Sequence, residues 1–172
     1  MYYTRFETRF CDMILAGDEQ GLQHLHLDTG EGKKGPFELP AHWLLNDDLF
    51  QTAKAQILEY CLGQRRGFDL PLNPQGTEFQ QTVWQALQDI PCGELRTYGE
   101  IAKQLGKPTA SRAVGAANGR NPIPLIIPCH RVVGSQGKLT GFAHGLAIKQ
   151  QLIEWEARQE TSLGNPRAVL GG

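Results

Sequence analysis

No apolar run in this chain approaches the roughly 18 residues that a membrane-crossing helix needs. The N-terminus, Met1-Tyr2-Tyr3-Thr4-Arg5-Phe6, lacks the apolar stretch and small-residue cleavage site of a secretion signal, so a cytoplasmic protein is expected. Cysteine is scarce and scattered. Cys11, Cys61, Cys92 and Cys129 have no short paired spacing, which argues against a disulfide framework and against a zinc site. No metal is expected. The chain has no internal repeat and no phosphate-binding glycine loop. Net charge is also nearly absent, at −1 for 172 residues.

That small total conceals an uneven distribution. Residues 92–150 hold eight cations against two acids, a net of +6, whereas residues 1–91 hold seven cations and thirteen acids, a net of −6. Such segregation fits a protein that meets a polyanion with one part only, although a solvated basic face would look the same. With 40% hydrophobic and 20% charged residues the composition is that of a globular protein, long enough for one domain or two small ones.

Residues 2–28 hold short aromatic-, Thr- and Leu-rich segments separated by Gly17-Asp18-Glu19-Gln20-Gly21, a turn composition, so a small antiparallel sheet is expected. Leu22, Leu25 and Leu27 fit a half-buried strand, which places His24 and His26 on its outer face. Residues 30–40 read as a loop. Asn46 or Asp47 then caps a helix to about residue 62, ended by Gly63. Asn73-Pro74-Gln75-Gly76 is linker-like and divides the chain into a 1–75 supporting domain and a 76–157 domain, with 158–172 expected to be a mobile tail.

Thr77 is an N-cap for a helix to about Ile90, whose apolar residues Phe79, Val83, Trp84, Leu87 and Ile90 recur at three- and four-residue intervals. Two short helices follow, over about 98–105 and 109–117, separated by Gly106-Lys107-Pro108. They form a helix-turn-helix candidate. The second is nearly bare of large side chains, which suits close approach either to another helix or to a DNA groove, and Arg112 is the long cation on it. A last amphipathic helix runs over about 146–157.

The most chemically pointed stretch is Ile127-Pro128-Cys129-His130-Arg131-Val132, a thiol beside an imidazole in an apolar, proline-braced segment. A free thiol titrates near ~8.5, and a neighbouring base or cation is the usual means of holding it as thiolate. The pair alone leaves an ordinary buried cysteine as an alternative. Arg131 fits either a phosphate contact or a brace. Cys11, Cys61 and Cys92 have no adjacent base and cation and read as packing residues.

Residues 76–156 resemble the methylated-DNA-protein-cysteine methyltransferases, also called O6-alkylguanine-DNA alkyltransferases. The resemblance is carried by Phe79-Gln80-Gln81-Thr82-Val83-Trp84, Ile90-Pro91-Cys92-Gly93, Thr97-Tyr98-Gly99-Glu100-Ile101-Ala102, Ser111-Arg112-Ala113-Val114-Gly115-Ala116-Ala117-Asn118, and Asn121-Pro122 through Pro128-Cys129-His130-Arg131-Val132. It implies an α/β N-terminal domain like ribonuclease H and a mostly α, winged-helix-like C-terminal domain carrying the helix-turn-helix. It also implies a monomer acting without a cofactor or obligate protein partner on double-stranded DNA containing alkylated guanine, with alkylated thymine a further substrate.

By the same resemblance Cys129 is the alkyl acceptor, His130 its base, Glu156 the group that orients His130, Tyr98 the donor to guanine N3, and Asn121 the brace of the turn. Arg112 corresponds to the finger that replaces the flipped base, on a recognition helix with Ser111, Ala113, Gly115 and Ala116 and with Thr97 nearby; Val132, Phe142 and Ala143 line the base pocket. Two departures stand out. Phe142-Ala143 replaces a Tyr-Ser found in some relatives, and Trp155 stands before Glu156 where a His is frequent.

Overall fold

The structure, a computed structural model, describes residues 1–31, 37–140 and 142–162, the side chains of 160–162 excepted. Part of the predicted 30–40 loop, Gly141 and residues 163–172 of the predicted tail lie outside the described residues.

Strands β1 (Tyr2–Glu7), β2 (Asp12–Asp18) and β3 (Gly21–Asp28) form an antiparallel meander, with the turn at Glu19-Gln20 inside the predicted turn segment. A two-residue strand β4 (Leu44–Leu45) joins the edge of β1 in parallel, so the sheet is mixed rather than purely antiparallel, in the order β3-β2-β1-β4. Two residues carry too little pattern to announce a strand.

The central strand is buried on both faces. Met13 and Leu15 point into the core, while Ile14 and Ala16 pair in register with His26 and His24 on the opposite face. That second face is covered as well: the His26 ring lies 4.9 Å from Phe37 and 5.3 Å from His144, and His24 stacks on Trp43 at 5.7 Å. His26 is therefore buried, against the expectation of an outer-face position. Period-two alternation assigns a face of the strand, but what later chain lies on that face is a tertiary matter.

Asn46 accepts from the Leu49 amide and starts a 3-10 turn, Asp48–Phe50, that leads into α1 (Gln51–Cys61). Gly63, at φ +77°, ends the helix as expected, with the Gln64 amide returning to the Glu59 carbonyl. Thr77 caps α2 (Glu78–Leu87) through a reciprocal capping box with Gln80. Gly76 lies against the Trp84 ring, where a Cβ would come within 2.4 Å of it, so the linker admits no side chain there. Trp84 in turn donates from its indole to the Ala117 carbonyl at 2.9 Å, in the buried interior.

Thr97 and Glu100 form a second capping box at the start of α3 (Tyr98–Gln104); α4 (Ser111–Gly119) follows after the tight turn. Val114, Ala117 and Asn118 face inward from α4, which packs on α2 and α3. Arg112, Ala113 and Ala116 face outward. The small residues thus serve helix packing on one face and leave the other bare. Strand β5 (Arg96–Thr97), just before α3, pairs in parallel with β6 (Val132–Val133), just after the Cys-His segment, a pairing too short for the sequence to reveal.

The last helix, α5 (Leu146–Ser162), is longer than expected and takes in the first residues of the predicted tail. The added residues are held to the fold: Gln159 is buried beside Gly63 at the end of α1, and Arg158 lies 5.7 Å over the ring of Trp155, whose indole donates to the Tyr60 carbonyl at 3.1 Å. A single apolar core runs from the sheet through α1, α2 and α3 to the segment 123–132 and α5.

Candidate active site

The site is built on a segment that the interior holds from several directions. Asn121 donates from Nδ2 to the Ile127 carbonyl at 2.8 Å and accepts the Ile123 amide at Oδ1 at 3.0 Å, closing the loop between them. Leu125 sits at φ +74°, a conformation costing of order 1–3 kcal/mol for a residue with a side chain and retained only where the surroundings impose it. The surroundings here are Ile123, Ile126 and Ile127, all buried. The Leu25 amide of β3 donates to the Pro122 carbonyl at 2.9 Å, so the N-terminal sheet supports the same turn.

From this segment a 3-10 turn, Cys129–Arg131, emerges and carries all three polar side chains into the interior. The Cys129 amide donates to the Ile127 carbonyl at 2.7 Å, and its carbonyl accepts from Asn118 Nδ2 at 3.3 Å. His130 is wholly buried. Its Nε2 lies 2.7 Å from Oε2 of Glu156, reached from α5 across 26 residues of sequence. A carboxylate there accepts, so the imidazole proton sits on Nε2 and the Nδ1 lone pair stays available on the other side of the ring. Among the described residues Nδ1 makes no protein hydrogen bond.

Glu156 is the node of the site. Besides His130 it accepts from Arg131 at both oxygens, 2.8 and 3.0 Å, and from the Tyr60 hydroxyl of α1 at 2.6 Å. Burial works to raise the Glu156 carboxyl, and its contacts with His130 and Arg131 outweigh it, holding the group well below the ordinary carboxylate range. Arg131 also donates to the Ile90 carbonyl at 2.6 Å. It is a brace and not a surface phosphate contact, which resolves the two readings its sequence position left open.

Tyr98, at the start of α3, donates its hydroxyl to the Thr140 carbonyl at 3.3 Å, and partial burial raises its phenol. Its ring packs beside Gly115 of α4, where an added Cβ would meet it at an ordinary 3.8 Å. Thr97, Ser111, Arg112 and Gly115 line one surface depression together with Tyr98. Gly115 and Ala116 line a second, of about 560 Å³, against Phe142 and Ala143. The structure therefore gathers all but one of the DNA-contact candidates around the two depressions flanking α4; Ala113 is exposed on α4 but lines neither. Thr97 spends its hydroxyl on capping α3. Val132 is buried in β6, directly after the Cys129 turn.

The +6 segment is less basic at its surface than its composition implies. Arg131 and Lys149 point inward and Arg96 pairs with Glu94 at 2.9 Å, while Lys103, Lys107, Arg112, Arg120 and Lys138 remain exposed. Lys149 was not singled out by sequence reasoning, nor was Tyr60. In sequence Lys149 is one more cation of the basic segment; its burial, with Nζ donating to the carbonyls of Val132 and Thr140 at 2.7 Å each, appears only in the fold. Burial lowers its pKa to about 8, a fall that a thiolate at Cys129 would oppose. Among the described residues no cluster of three or more His, Cys, Asp or Glu is placed to hold a metal ion, and no helix is long and apolar enough to cross a membrane.

Residues 1–74 match the family described as 6-O-methylguanine DNA methyltransferase, ribonuclease-like domain, and residues 78–158 match its DNA binding domain. A methylated-DNA–protein-cysteine methyltransferase of Methanosarcina acetivorans is 52% identical over 156 residues, covering 91% of this chain and 98% of that protein. One from Mycobacterium tuberculosis is 43% identical over 158 residues, covering 91% and 92%. The crystal structure of Mycobacterium tuberculosis OGT in complex with DNA superposes with a TM-score of 0.83 at 42% identity, over 92% of this chain and 94% of that one. Matched along both its sheet-bearing and its helical part, the chain belongs to the methylated-DNA–protein-cysteine methyltransferases.

Proposed function

We propose that this protein repairs DNA by moving an alkyl group, methyl or larger, from O6 of a flipped-out guanine, and from O4 of thymine, to the sulfur of Cys129, once per molecule and irreversibly. The observation that carries this reading is the turn Cys129–Arg131, where a thiol and an imidazole stand side by side and the imidazole is locked to Glu156 through Nε2 at 2.7 Å. His130 then takes the thiol proton at Nδ1, directly or through a water. The sulfur attacks the alkyl carbon in line, the S–C bond forms as the C–O bond breaks, and the electron pair leaves on the base. Tyr98 supplies a hydrogen bond to guanine N3 that favours this departure. Asn121 holds the turn, and no cofactor is required.

A stacked base cannot bring its alkyl carbon to a buried thiol, so the lesion is extruded at a cost of a few kcal/mol. The exposed face of α4 suits the extrusion, because Ala113 and Ala116 let the helix lie close in the groove, Arg112 fills the vacated stack, and Ser111 and Thr97 stand beside it. The pocket wall of Val132, Phe142 and Ala143 is apolar, which favours alkyl groups beyond methyl. The linker at 73–76 divides a supporting domain from the reactive one, and the protein works as a cytoplasmic monomer on double-stranded DNA.

Incubation with a duplex carrying O6-methylguanine, followed by mass measurement, tests the reading. The expected result is a gain of one methyl group on the Cys129 peptide, with one event per molecule. Tight binding without mass change would instead mean a lesion sensor, and many turnovers a cysteine hydrolase. Arg112→Ala is expected to slow transfer from duplex DNA by about tenfold or more, on the scale of an unstacking step, and to slow transfer from a single-stranded oligonucleotide much less. Equal slowing of both substrates in single-turnover assays would remove the finger role.

A further inference from the structure

Phe142 and Ala143, the pocket wall opposite α4, lie just before α5 on a stretch that belongs to neither helix nor strand. Such a segment opens at low cost unless other elements hold it. The structure supplies a hold on either side. Before the wall, the Thr140 carbonyl accepts the Tyr98 hydroxyl and the Lys149 ammonium. After it stands His144, whose carbonyl accepts from Thr29 Oγ1 at 2.7 Å, across 115 residues and just beyond the end of β3. The Gly145 amide donates to the Phe142 carbonyl at 3.1 Å, which closes His144 and the wall into one short turn.

The His144 side chain is buried, with the Phe142 ring at 5.8 Å and the His26 ring of β3 at 5.3 Å. His26 in turn meets Phe37 at 4.9 Å, and Phe37 meets Trp43, which stacks on His24. A row of rings thus joins the sheet and the chain lying on it to the pocket wall, and rings at these separations attract one another beyond the area they bury. The sheet has no part in the proposed chemistry, yet through His144 it reaches the wall of the pocket.

We propose that His144 is a positioning residue for alkyl transfer, the latch through which the N-terminal sheet holds the Phe142-Ala143 wall in place for the flipped base. This rests on that wall receiving the alkylated guanine. A wall fixed beforehand need not be ordered when the base arrives, so less binding free energy is lost. The latch acts by packing and by the Thr29 hydrogen bond, and it exchanges no proton. Opening it leaves the Cys129 turn in place, because Asn118, Asn121 and Glu156 hold that turn from elsewhere. Wall and thiol can therefore be measured apart.

Hydrogen–deuterium exchange of the whole protein without DNA reads the latch itself. In Thr29→Val and in His144→Ala the peptide holding the Gly145 amide is expected to exchange about tenfold faster than in the wild type, while peptides of α2 and α4 keep their rates. This readout needs no methyl transfer, so it decides the latch even if the repair reading fails. Two alkylation rates at Cys129 then read the consequence. Transfer from the free base O6-methylguanine, which lacks the DNA contacts of α4, is expected to fall about tenfold in both variants. Carboxamidomethylation by iodoacetamide, which uses no pocket wall, is expected to stay at or above the wild-type rate, whereas general damage to the fold would lower both. Should His144→Ala not fold, Thr29→Val, which removes a single hydroxyl, carries the test. Unchanged exchange overturns the latch, and faster exchange with an unchanged ratio of the two alkylation rates overturns its role in positioning the base.

Discussion

Glu156→Ala is expected to lose about 3–5 kcal/mol of stability, the range measured when one partner of a buried ion pair is removed, and to lose nearly all alkyl transfer at the same time. The reason is the number of groups that end on this carboxylate. Arg131 is only 6% exposed and would keep its charge with a single carbonyl partner, that of Ile90. Tyr60 would hold a buried hydroxyl with no acceptor, and His130 would lose the anchor that fixes its tautomer. Urea unfolding together with a single-turnover transfer assay measures both effects. A stability change under about 1 kcal/mol would show that the node does not hold the site together, given the usual cost of buried unpaired charges.

The same group sets an acid limit. Its carboxyl is held below the ordinary range in the folded protein, so the folded state binds fewer protons than the unfolded one around the ordinary carboxylate pKa of ~4.3. This contribution is fully present above that pH and drains away as the pH falls through the folded-state pKa. The wild type is expected to lose stability in that acid window, and Glu156→Gln to lose less there while starting from a lower value at neutral pH. Unfolding midpoints collected over the acid range give the comparison.

Cys129→Ala is expected to abolish alkyl gain, by at least about a thousandfold in rate, while the protein stays folded and still binds alkylated duplex. The substitution removes one sulfur atom from a buried site, a change of about 1 kcal/mol. The remaining thiols do not take over. Burial pushes Cys11 up to about 12 and Cys61 up to about 11, and Cys92 is also raised, so little thiolate is present at neutral pH. Peptide mapping after prolonged incubation tests this, and methyl found on Cys92 or Cys61 at a comparable rate would mean that the acceptor is not set by its environment.

Much of the local structure was readable beforehand. The Thr77 cap and the three- and four-residue spacing of Phe79, Val83, Trp84 and Leu87 announced α2, and Gly63 announced the end of α1, because caps and periodicity act within a turn or two of helix. Errors fell where distant chain intervened. Alternation puts His26 on an open face that Phe37 and His144 close, and α5 runs on to Ser162 with Gln159 buried beside Gly63. The short β5–β6 pair escaped notice because two residues hold no alternation to detect.

The candidate site divides along the same line. By itself the sequence determined that a thiol and an imidazole are adjacent, that proline and asparagine brace them, and that a small-residue helix with Arg112 lies nearby; each is a matter of neighbouring residues. Only the tertiary structure decided where the charges around that segment go. Arg131 turned inward to Glu156 across 25 residues, Tyr60 reached the same carboxylate across 96, and Lys149 was buried with its ammonium on the Val132 carbonyl. A charged side chain has no intrinsic preference that reveals its partner. Its position is set by which distant groups can compensate it once water has been excluded, and that depends on the packed core.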